Sequence, residues 1–407
     1  MDSYSPVLLA ALLALLIGLA TGKAWERYKL QEGRWIDRRK ARESPHYMQG
    51  LNFLVSSQLD LAIEEMNQAA KLDPDALEIH MILGNLYREK GQVGRAVQIH
   101  QQLLQRPRLR ALEHTYIQLC LGLDYKRGGF VDRAIVAFNE VLRLDPNNEH
   151  ALLHLEKLYE DQHQWAEAAQ IRERLAQVVR PSLKARHQAI QAFLENELGV
   201  QARDRGDEAE AARRFTAAID RDAHVAPAYL NLGDLRLRQG DAAAAVESWE
   251  RLTGVAPERA YLAFDRLESA YNALGVPARF DELCRGLIIA NPQDWRARLA
   301  LARHLRAAGQ PERALDLLLE ALAHNPHAVV IHQTILETLV QLHLEQPLVN
   351  RYIGVSREAV FYSDPHICMR CRYRSNELLW QCPHCHEWNT FVEERIAPAL
   401  DTEEADT

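Results

Sequence analysis

Apolar residues recur every three to four positions through most of the chain, in paired segments that each suit an amphipathic helix. Between residues 45 and 330 this pattern repeats with a period of about 34. The stretch AYLNLGDLRLRQGDAAAAVESWERLTGVAP, which begins at Ala228, shows one unit. Neither helix of such a pair can bury its apolar face alone, so the pairs are expected to stack on one another. The pattern therefore predicts an all-α solenoid of helical hairpins.

A small residue marks a fixed place in most units. The positions equivalent to Gly233 are Gly50, Gly84, Gly122, Glu156, Gly199, Glu268 and Ala302. Most units have an alanine twelve residues later and a bulkier residue four after that, as in Ala245 and Trp249. A small residue lets the two helices of one unit approach closely, and a closing proline such as Pro257 stops the second helix. This series resembles the tetratricopeptide repeat in eight units, although the leading tryptophan of that family is absent. A ninth first helix is expected over Val329–Leu344.

Two units are longer than the rest and carry basic insertions. The first contains RPRLR, at Arg106–Arg110, and the second contains VVRPSLKARHQ, at Val178–Gln188. Such segments are either solvated connectors or functional loops, and both interpretations stay open at this point.

The N-terminus has a different pattern. Residues 6–22 carry no charge, and as a helix they would rise about 25 Å, slightly less than a hydrocarbon core of about 30 Å. The basic residues follow this run, which predicts a single-span anchor with the body of the chain in the cytoplasm. A cleaved signal peptide is the alternative, but it needs a positive segment before the run, where the one charged side chain is Asp2. We expect a transmembrane anchor over residues 1–22 and a basic juxtamembrane segment over 23–44.

Four of the six cysteines lie close together near the C-terminus. They follow the spacing C-x2-C, ten residues, C-x2-C, and are Cys368, Cys371, Cys382 and Cys385. Because cytoplasmic thiols stay reduced, this spacing predicts one metal ion held by four thiolates rather than two disulfides. Four protein ligands leave no position open for a substrate, so the site is expected to be structural. The two lone cysteines, Cys120 and Cys284, are expected to be buried as small apolar side chains.

The four-cysteine segment resembles rubredoxin, whose four thiolates hold iron. Rubredoxin has glycine after the second cysteine of each pair, where this chain has Arg372 and His386. Because those glycines are missing, amide hydrogen bonds to sulfur are less expected, and zinc is favoured over iron. Arg370, Arg372 and Arg374 are placed to offset the charge of four thiolates.

Two tryptophans, Trp380 and Trp388, flank the second cysteine pair. A module this small has little core of its own, so we expect them, with Phe361 and Phe391, to pack the module or dock it onto the last repeat. An exposed partner-binding surface is the alternative. The sequence predicts a repeat array over 45–347, a rubredoxin-like module over 348–395, and a disordered acidic tail over 396–407.

Motifs and net charge argue against two classes of function, enzymes and nucleic-acid-binding proteins. The chain lacks the HExxH, GxxxxGK[ST] and GxSxG motifs, which argues against an enzyme. A net charge of −8 argues against nucleic-acid binding. A stack of helical hairpins suits protein partners, so a membrane-tethered interaction scaffold is favoured. The sequence leaves a homo-oligomer open.

The order of parts, from apolar span through basic segment and repeat array to a four-cysteine end, resembles the lipopolysaccharide assembly protein B family of Gram-negative bacteria. That resemblance implies regulation of lipopolysaccharide synthesis at the cytoplasmic face of the inner membrane. It implies an adaptor that presents the committed-step deacetylase of lipid A synthesis to a membrane-anchored AAA+ protease. The alternative is a scaffold that gathers lipopolysaccharide enzymes or transport proteins without promoting proteolysis. The resemblance assigns no repeat residue to a partner contact.

Overall fold

The structure is a computed structural model, and it describes residues 44–178, 181–342, 347, 349–352 and 365–394. The chain divides into two compact units, residues 1–162 and 163–407. The predicted anchor and nearly all of the basic segment lie outside the described residues, as does the predicted acidic tail. Within the described ranges, no helix has both the length and the apolar character needed to cross a membrane.

The first unit is built of helices that pack on one another in chain order. They are α1 (Pro45–Val55), α2 (Leu59–Leu72), α3 (Leu77–Glu89), α4 (Val93–Leu104), α5 (Ala111–Arg127), α6 (Val131–Leu144) and α7 (Glu149–Asp161). Their apolar stripes pack between successive helices, where Ala62, Met66 and Phe138 are fully buried.

The second unit continues with the same pairwise packing. Its helices are α8 (Trp165–Val178), α9 (Lys184–Asp204), α10 (Glu208–Arg221), α11 (Ala226–Arg238), α12 (Ala242–Val255), α13 (Phe264–Ala273), α14 (Ala278–Ala290), α15 (Trp295–Ala307), α16 (Pro311–His324) and α17 (Val329–Leu342). Two 3-10 segments, Pro181–Leu183 and Pro257–Ala263, precede α9 and α13. The predicted ninth first helix corresponds to α17.

The small-residue sites do bring two helices of a unit together. A side-chain carbon at Gly233 would lie 2.2 Å from Nε1 of Trp249, far inside van der Waals contact. At Gly122 the same carbon would lie 2.6 Å from the ring of Phe138. In each case the bulky residue predicted on the second helix occupies the space that a larger side chain on the first helix would need. The predicted pairing of small and bulky positions is confirmed at these units.

The predicted helix stops are also present. α12 ends at Val255, two residues before Pro257, and α2 ends at Leu72, two residues before Pro74. Proline lacks the backbone N–H that would continue the hydrogen-bond ladder, so each helix ends ahead of it.

The C-terminal module is a small antiparallel sheet. Its strands are β1 (His366–Cys368), β2 (Arg374–Ser375) and β3 (Phe391–Glu393), in the order β2-β1-β3. His366 pairs with both Ser375 and Glu393 across the sheet. β1 and β3 bring Cys368 beside Phe391, which forms a buried cluster with Cys368 and Cys382.

Candidate metal centre and its docking surface

Two tight turns hold the four thiols. In the first, the Arg372 amide donates to the Cys368 carbonyl at 2.9 Å, and in the second the His386 amide donates to the Cys382 carbonyl at 2.8 Å. Arg372 and His386 have φ values of 63° and 55°, in the left-handed region that favours glycine. The turn that rubredoxin makes with glycine is therefore made here without it.

The thiols are spaced for a tetrahedral ion. All four Sγ atoms lie within 4.8 Å of one another, and all four cysteines are free. The Cys368 and Cys385 sulfurs are 3.7 Å apart, and those of Cys371 and Cys382 are 3.6 Å apart. Four thiolates at about 2.3 Å from a central zinc would be about 3.8 Å apart, so the cluster fits one ion of this kind.

Hydrogen bonds favour the thiolate form of Cys368. Burial acts to raise the pKa of the Cys368 thiol, but hydrogen bonds from Thr390 and from the amides of Cys371 and Arg370 bring that pKa down to about 6. Thr390 Oγ1 lies 3.2 Å from this sulfur. Thr390 was not among the residues predicted from the sequence, because no spacing rule links it to the cysteine pairs.

Backbone amides donate hydrogen bonds to two of the sulfurs, which bears on the choice between zinc and iron. The amides of His384 and Cys385 donate to the Cys382 sulfur, as those of Arg370 and Cys371 do to Cys368. The missing glycines were expected to weaken these bonds, and that expectation is wrong because the left-handed turn is kept. The absence of glycine therefore does not distinguish zinc from iron at this site.

Two of the arginines expected to offset the thiolate charge are paired with carboxylates. Arg370 pairs with Glu387 and Arg374 pairs with Glu394. Their charges are therefore shared with the module's own acidic side chains.

The two tryptophans of the module pack against repeat helices. The Trp388 ring stacks on Phe193 of α9 at 5.3 Å between centroids, and it meets Trp165 of α8 edge-on at 6.1 Å. Trp380 lies 6.3 Å from Phe193, and the Arg259 guanidinium lies over the Trp380 ring at 5.0 Å. Trp388 and Phe193 are only 8% and 2% exposed, so this contact excludes water.

Ion pairs flank the aromatic contact on both sides. Arg186 of α9 donates to Glu387 at 2.6 Å, and Arg296 of α15 donates to Glu393 at 2.7 Å. These pairs tether the module at two places in its chain, at Glu387 after the second cysteine pair and at Glu393 at the end of β3.

The module therefore docks, as predicted, and it reaches the last complete repeat through Arg296 of α15, but its aromatic contacts lie several units earlier, on α8 and α9. Its contacts reach from α8 and α9, through the 3-10 segment Pro257–Ala263, to α15. α9 has 21 residues whereas α11, the equivalent helix of the next unit, has 13. The basic insertion supplies the extra turns, including Arg186, and so provides docking contacts rather than a plain connector. Phe361 lies outside the described residues.

The two lone cysteines are buried, as predicted, at 3% and 0% exposure for Cys120 and Cys284. Burial raises the pKa of the Cys120 thiol to about 11, so this residue stays an uncharged thiol at neutral pH.

Family models match most of these parts. Residues 366–393 match a model described as a rubredoxin metal binding domain. Residues 47–108, 196–260 and 284–353 match models of the tetratricopeptide repeat. A solved tetratricopeptide repeat protein from Parabacteroides merdae covers 74% of this chain at 17% identity, with a TM-score of 0.35.

Curated relatives match nearly the full length. Lipopolysaccharide assembly protein B of Escherichia coli K12 is 29% identical over 387 residues, which cover 93% of this chain and 97% of that protein. The protein of the same name from Haemophilus influenzae is 25% identical, with the same coverage. These relatives are named for assembly and not for a reaction, in agreement with a scaffold that is not an enzyme. Together with the matching repeat and metal-binding segments, they show that this chain is similar over nearly its full length to lipopolysaccharide assembly protein B.

Proposed function

We propose that Cys368, Cys371, Cys382 and Cys385 bind one metal ion, zinc rather than iron, and that this ion has a structural role. Four thiolates close the coordination shell and leave no open position for chemistry. Zinc suits a scaffold because it does not change its oxidation state. The fit of the sulfur spacing supports one ion, and the choice between the two metals is open to direct measurement.

The ion would hold together a module that is too small to fold on its own core. Within residues 365–394, the buried side chains are those of Ile367, Cys368, Cys382, Trp388 and Phe391. Trp388 is covered in part by the repeat helices, so the module's own core is smaller still. Domains of this size fold when a metal supplies the missing free energy.

The function that the geometry supports best is an adaptor that holds other proteins. The observation that carries it is the docked module, which lies against helices of several repeat units and so extends the surface of the second unit. Tetratricopeptide arrays bind protein partners on such surfaces. We propose that the chain is tethered to the bacterial inner membrane and regulates lipopolysaccharide biosynthesis, by presenting the lipid A committed-step deacetylase to a membrane-anchored AAA+ protease.

The tether and the division of the chain belong to the same proposal. Residues 1–22 would span the inner membrane once, 23–44 would lie near anionic lipid, and the array (45–347), module (348–395) and acidic tail (396–407) would lie in the cytoplasm. An anchored adaptor meets membrane partners at a raised effective concentration.

Elemental analysis of the purified chain tests the metal. One equivalent of zinc per chain is expected, and one equivalent of iron with visible absorption would contradict the choice of zinc. The variant Cys368→Ser with Cys371→Ser is expected to lose the ion. Cys120→Ala, which removes a thiol outside the module, is the matched control and is expected to keep it.

The lifetime of the deacetylase tests the adaptor. In cells that lack this chain, the deacetylase is expected to persist longer after protein synthesis is stopped. An unchanged half-life would contradict the adaptor function and favour a scaffold that gathers lipopolysaccharide enzymes or transport proteins. A pull-down from membranes with the double cysteine variant, compared with Cys120→Ala, is expected to recover fewer partners if the docked module shapes the binding surface.

A further inference from the structure

A cleft of about 410 Å³ lies beside the docked module, within the second unit. The 3-10 segment Pro257–Ala263 and the start of α15 form one side, and β3 forms the other. Its lining includes two arginines, Arg259 and Arg296, and apolar groups from both sides.

The two arginines differ in how their charge is balanced. Arg296 donates to Glu393 at 2.7 Å and is neutralised. Arg259 is only partly exposed and has no carboxylate partner among the described residues, and its buried Nη1 has no hydrogen-bond acceptor there. Its guanidinium contacts the Trp380 ring, and burial lowers the pKa of Arg259. Glu258 acts on Arg259 through space but does not bond it, so a buried guanidinium nitrogen is left open to an acceptor from a ligand.

Two more nitrogens of the cleft residues lack partners. Trp295 is 8% exposed, and its Nε1 has no acceptor in the described part of the chain. Nδ1 of His366, on the module side, also has no hydrogen-bond partner there. Buried polar nitrogens without hydrogen-bond partners are rare in folded proteins, and several on residues that line one cleft indicate a missing ligand.

The strand that lines the cleft has a free edge. Within the part of the chain that the structure describes, β3 is the last strand of the sheet and pairs with β1 alone. Met369 donates to the Thr390 carbonyl at 2.9 Å and Glu394 donates to the Pro365 carbonyl at 2.8 Å, so alternate residues of β3 face β1. The backbone groups of Phe391 and Glu393 then face away from β1, toward the outer edge. An extended chain can pair with such an edge.

We propose that this cleft binds an extended peptide segment of a partner protein, which pairs with β3 and carries a carboxylate to Arg259. An inorganic anion would leave most of the volume and the apolar lining unused. A multiply charged phosphate is disfavoured because Glu258, Asp294 and Glu393 also line the cleft. The choice of a protein ligand rests on the proposed scaffold function, whereas the site itself rests on the geometry of the cleft.

A defined peptide tests the proposal on the full-length chain. The probe is an acetylated, amidated peptide of sequence VEVEV, and its matched control is VQVQV, which keeps the shape but has no carboxylate. Calorimetric titration is expected to show saturable binding of VEVEV and affinity at least about tenfold weaker for VQVQV, because hydrogen bonds to a charged group are the stronger ones. Amide exchange at Phe391 and Glu393 is expected to slow when VEVEV is bound. Equal affinity for the two peptides, or no saturation at millimolar concentration, would overturn the proposal.

Variants locate the carboxylate contact. Arg259→Gln is expected to weaken VEVEV binding about tenfold or more, while Arg259→Lys keeps part of the affinity. Arg213→Gln, at an exposed arginine of α10 outside the cleft, is the control and is expected to bind like the unchanged chain. Unchanged binding by Arg259→Gln, or displacement of VEVEV by inorganic phosphate at equal concentration, would contradict the proposal. If Arg259→Gln fails to fold, the comparison of VEVEV with VQVQV on the unchanged chain still decides. Failure here would leave the adaptor test by deacetylase lifetime unaffected, since that test does not depend on this cleft.

Discussion

Replacing Trp388 by alanine should release the metal module from the repeat helices. Trp388 is 8% exposed, and its ring contacts Phe193 and Trp165 on two helices of the second unit. A tryptophan buries about 150–250 Å², which at about 25 cal/mol per Å² corresponds to about 4–6 kcal/mol as an upper bound. Measured costs of removing buried aromatic rings are about 3–5 kcal/mol, and we expect Trp388→Ala to fall in that range.

Hydrogen exchange is the assay that separates undocking from general unfolding. Amides of α8 and α9 near Trp165 and Phe193 should exchange faster in Trp388→Ala, whereas α16, which is not part of the docking contact, should be unchanged. The bound metal should remain near one equivalent, because the cysteine cluster packs on Phe391 rather than on Trp388. Tyr373→Ala is the matched control, since Tyr373 is a 40% exposed aromatic residue of the module that contacts His384 and Phe391.

Phe193→Ala approaches the same contact from the array side. It removes the ring that Trp388 stacks on and leaves the module's own core intact. Both variants should therefore expose the same face of α8 and α9. The reasoning is refuted if exchange near Phe193 in Trp388→Ala matches that of the unchanged chain, or if Tyr373→Ala gives the same increase.

Three further predictions concern the repeats and the metal. Gly233→Ala should lower the free energy of unfolding by about 1–3 kcal/mol in denaturant titration, because the new methyl would lie 2.2 Å from Trp249; Gly254→Ala, with open space, is the control. Burial lowers the pKa of His154 to about 4, below its unfolded value of 6.5, so the stability that its neutral ring contributes is complete above pH 6.5 and is lost as the pH falls toward 4. His154→Gln should therefore remove up to about 3 kcal/mol of the acid-induced loss of stability. The free energy of unfolding measured against pH checks this, and an unchanged slope of that curve in the variant would contradict it. Removal of the metal by a chelator should increase proteolysis within residues 365–394, while α3 and α4 stay protected. Equal protection of the module with and without metal would contradict a structural role for the ion.

The repeat hairpins were predictable because their signals are local. The pairing of Gly233 with Trp249 lies within one unit, at a spacing that recurs along the chain. The prolines end helices through their own covalent structure, as at Pro257, whatever the tertiary context. The four cysteines were predictable for the same reason, since each pair closes within one short turn.

The docking site was not predictable from the sequence because its partners are far apart in the chain. Arg186 and Glu387 are separated by 201 residues, and no periodic pattern connects them. The one available signal was the basic insertion before α9, whose length departs from the repeat. The left-handed turns at Arg372 and His386 were missed for another reason: glycine is favoured at such φ values, but other residues adopt them when a hydrogen-bonded turn requires it.

The module and the array each cover what the other cannot bury. Without the module, Trp165 and Phe193 would be uncovered on the second unit, and an exposed pair of large rings favours association with other apolar surfaces. Without the array, Trp388 would lose its contacts with Trp165 and Phe193, in a module that has few other buried side chains. A metal ion held by the four cysteines would therefore be coupled to the repeat surface through Trp388. A change in metal content should alter the surface that partners meet over α8, α9 and α15, and for this reason the cysteines can affect partner binding without touching a partner.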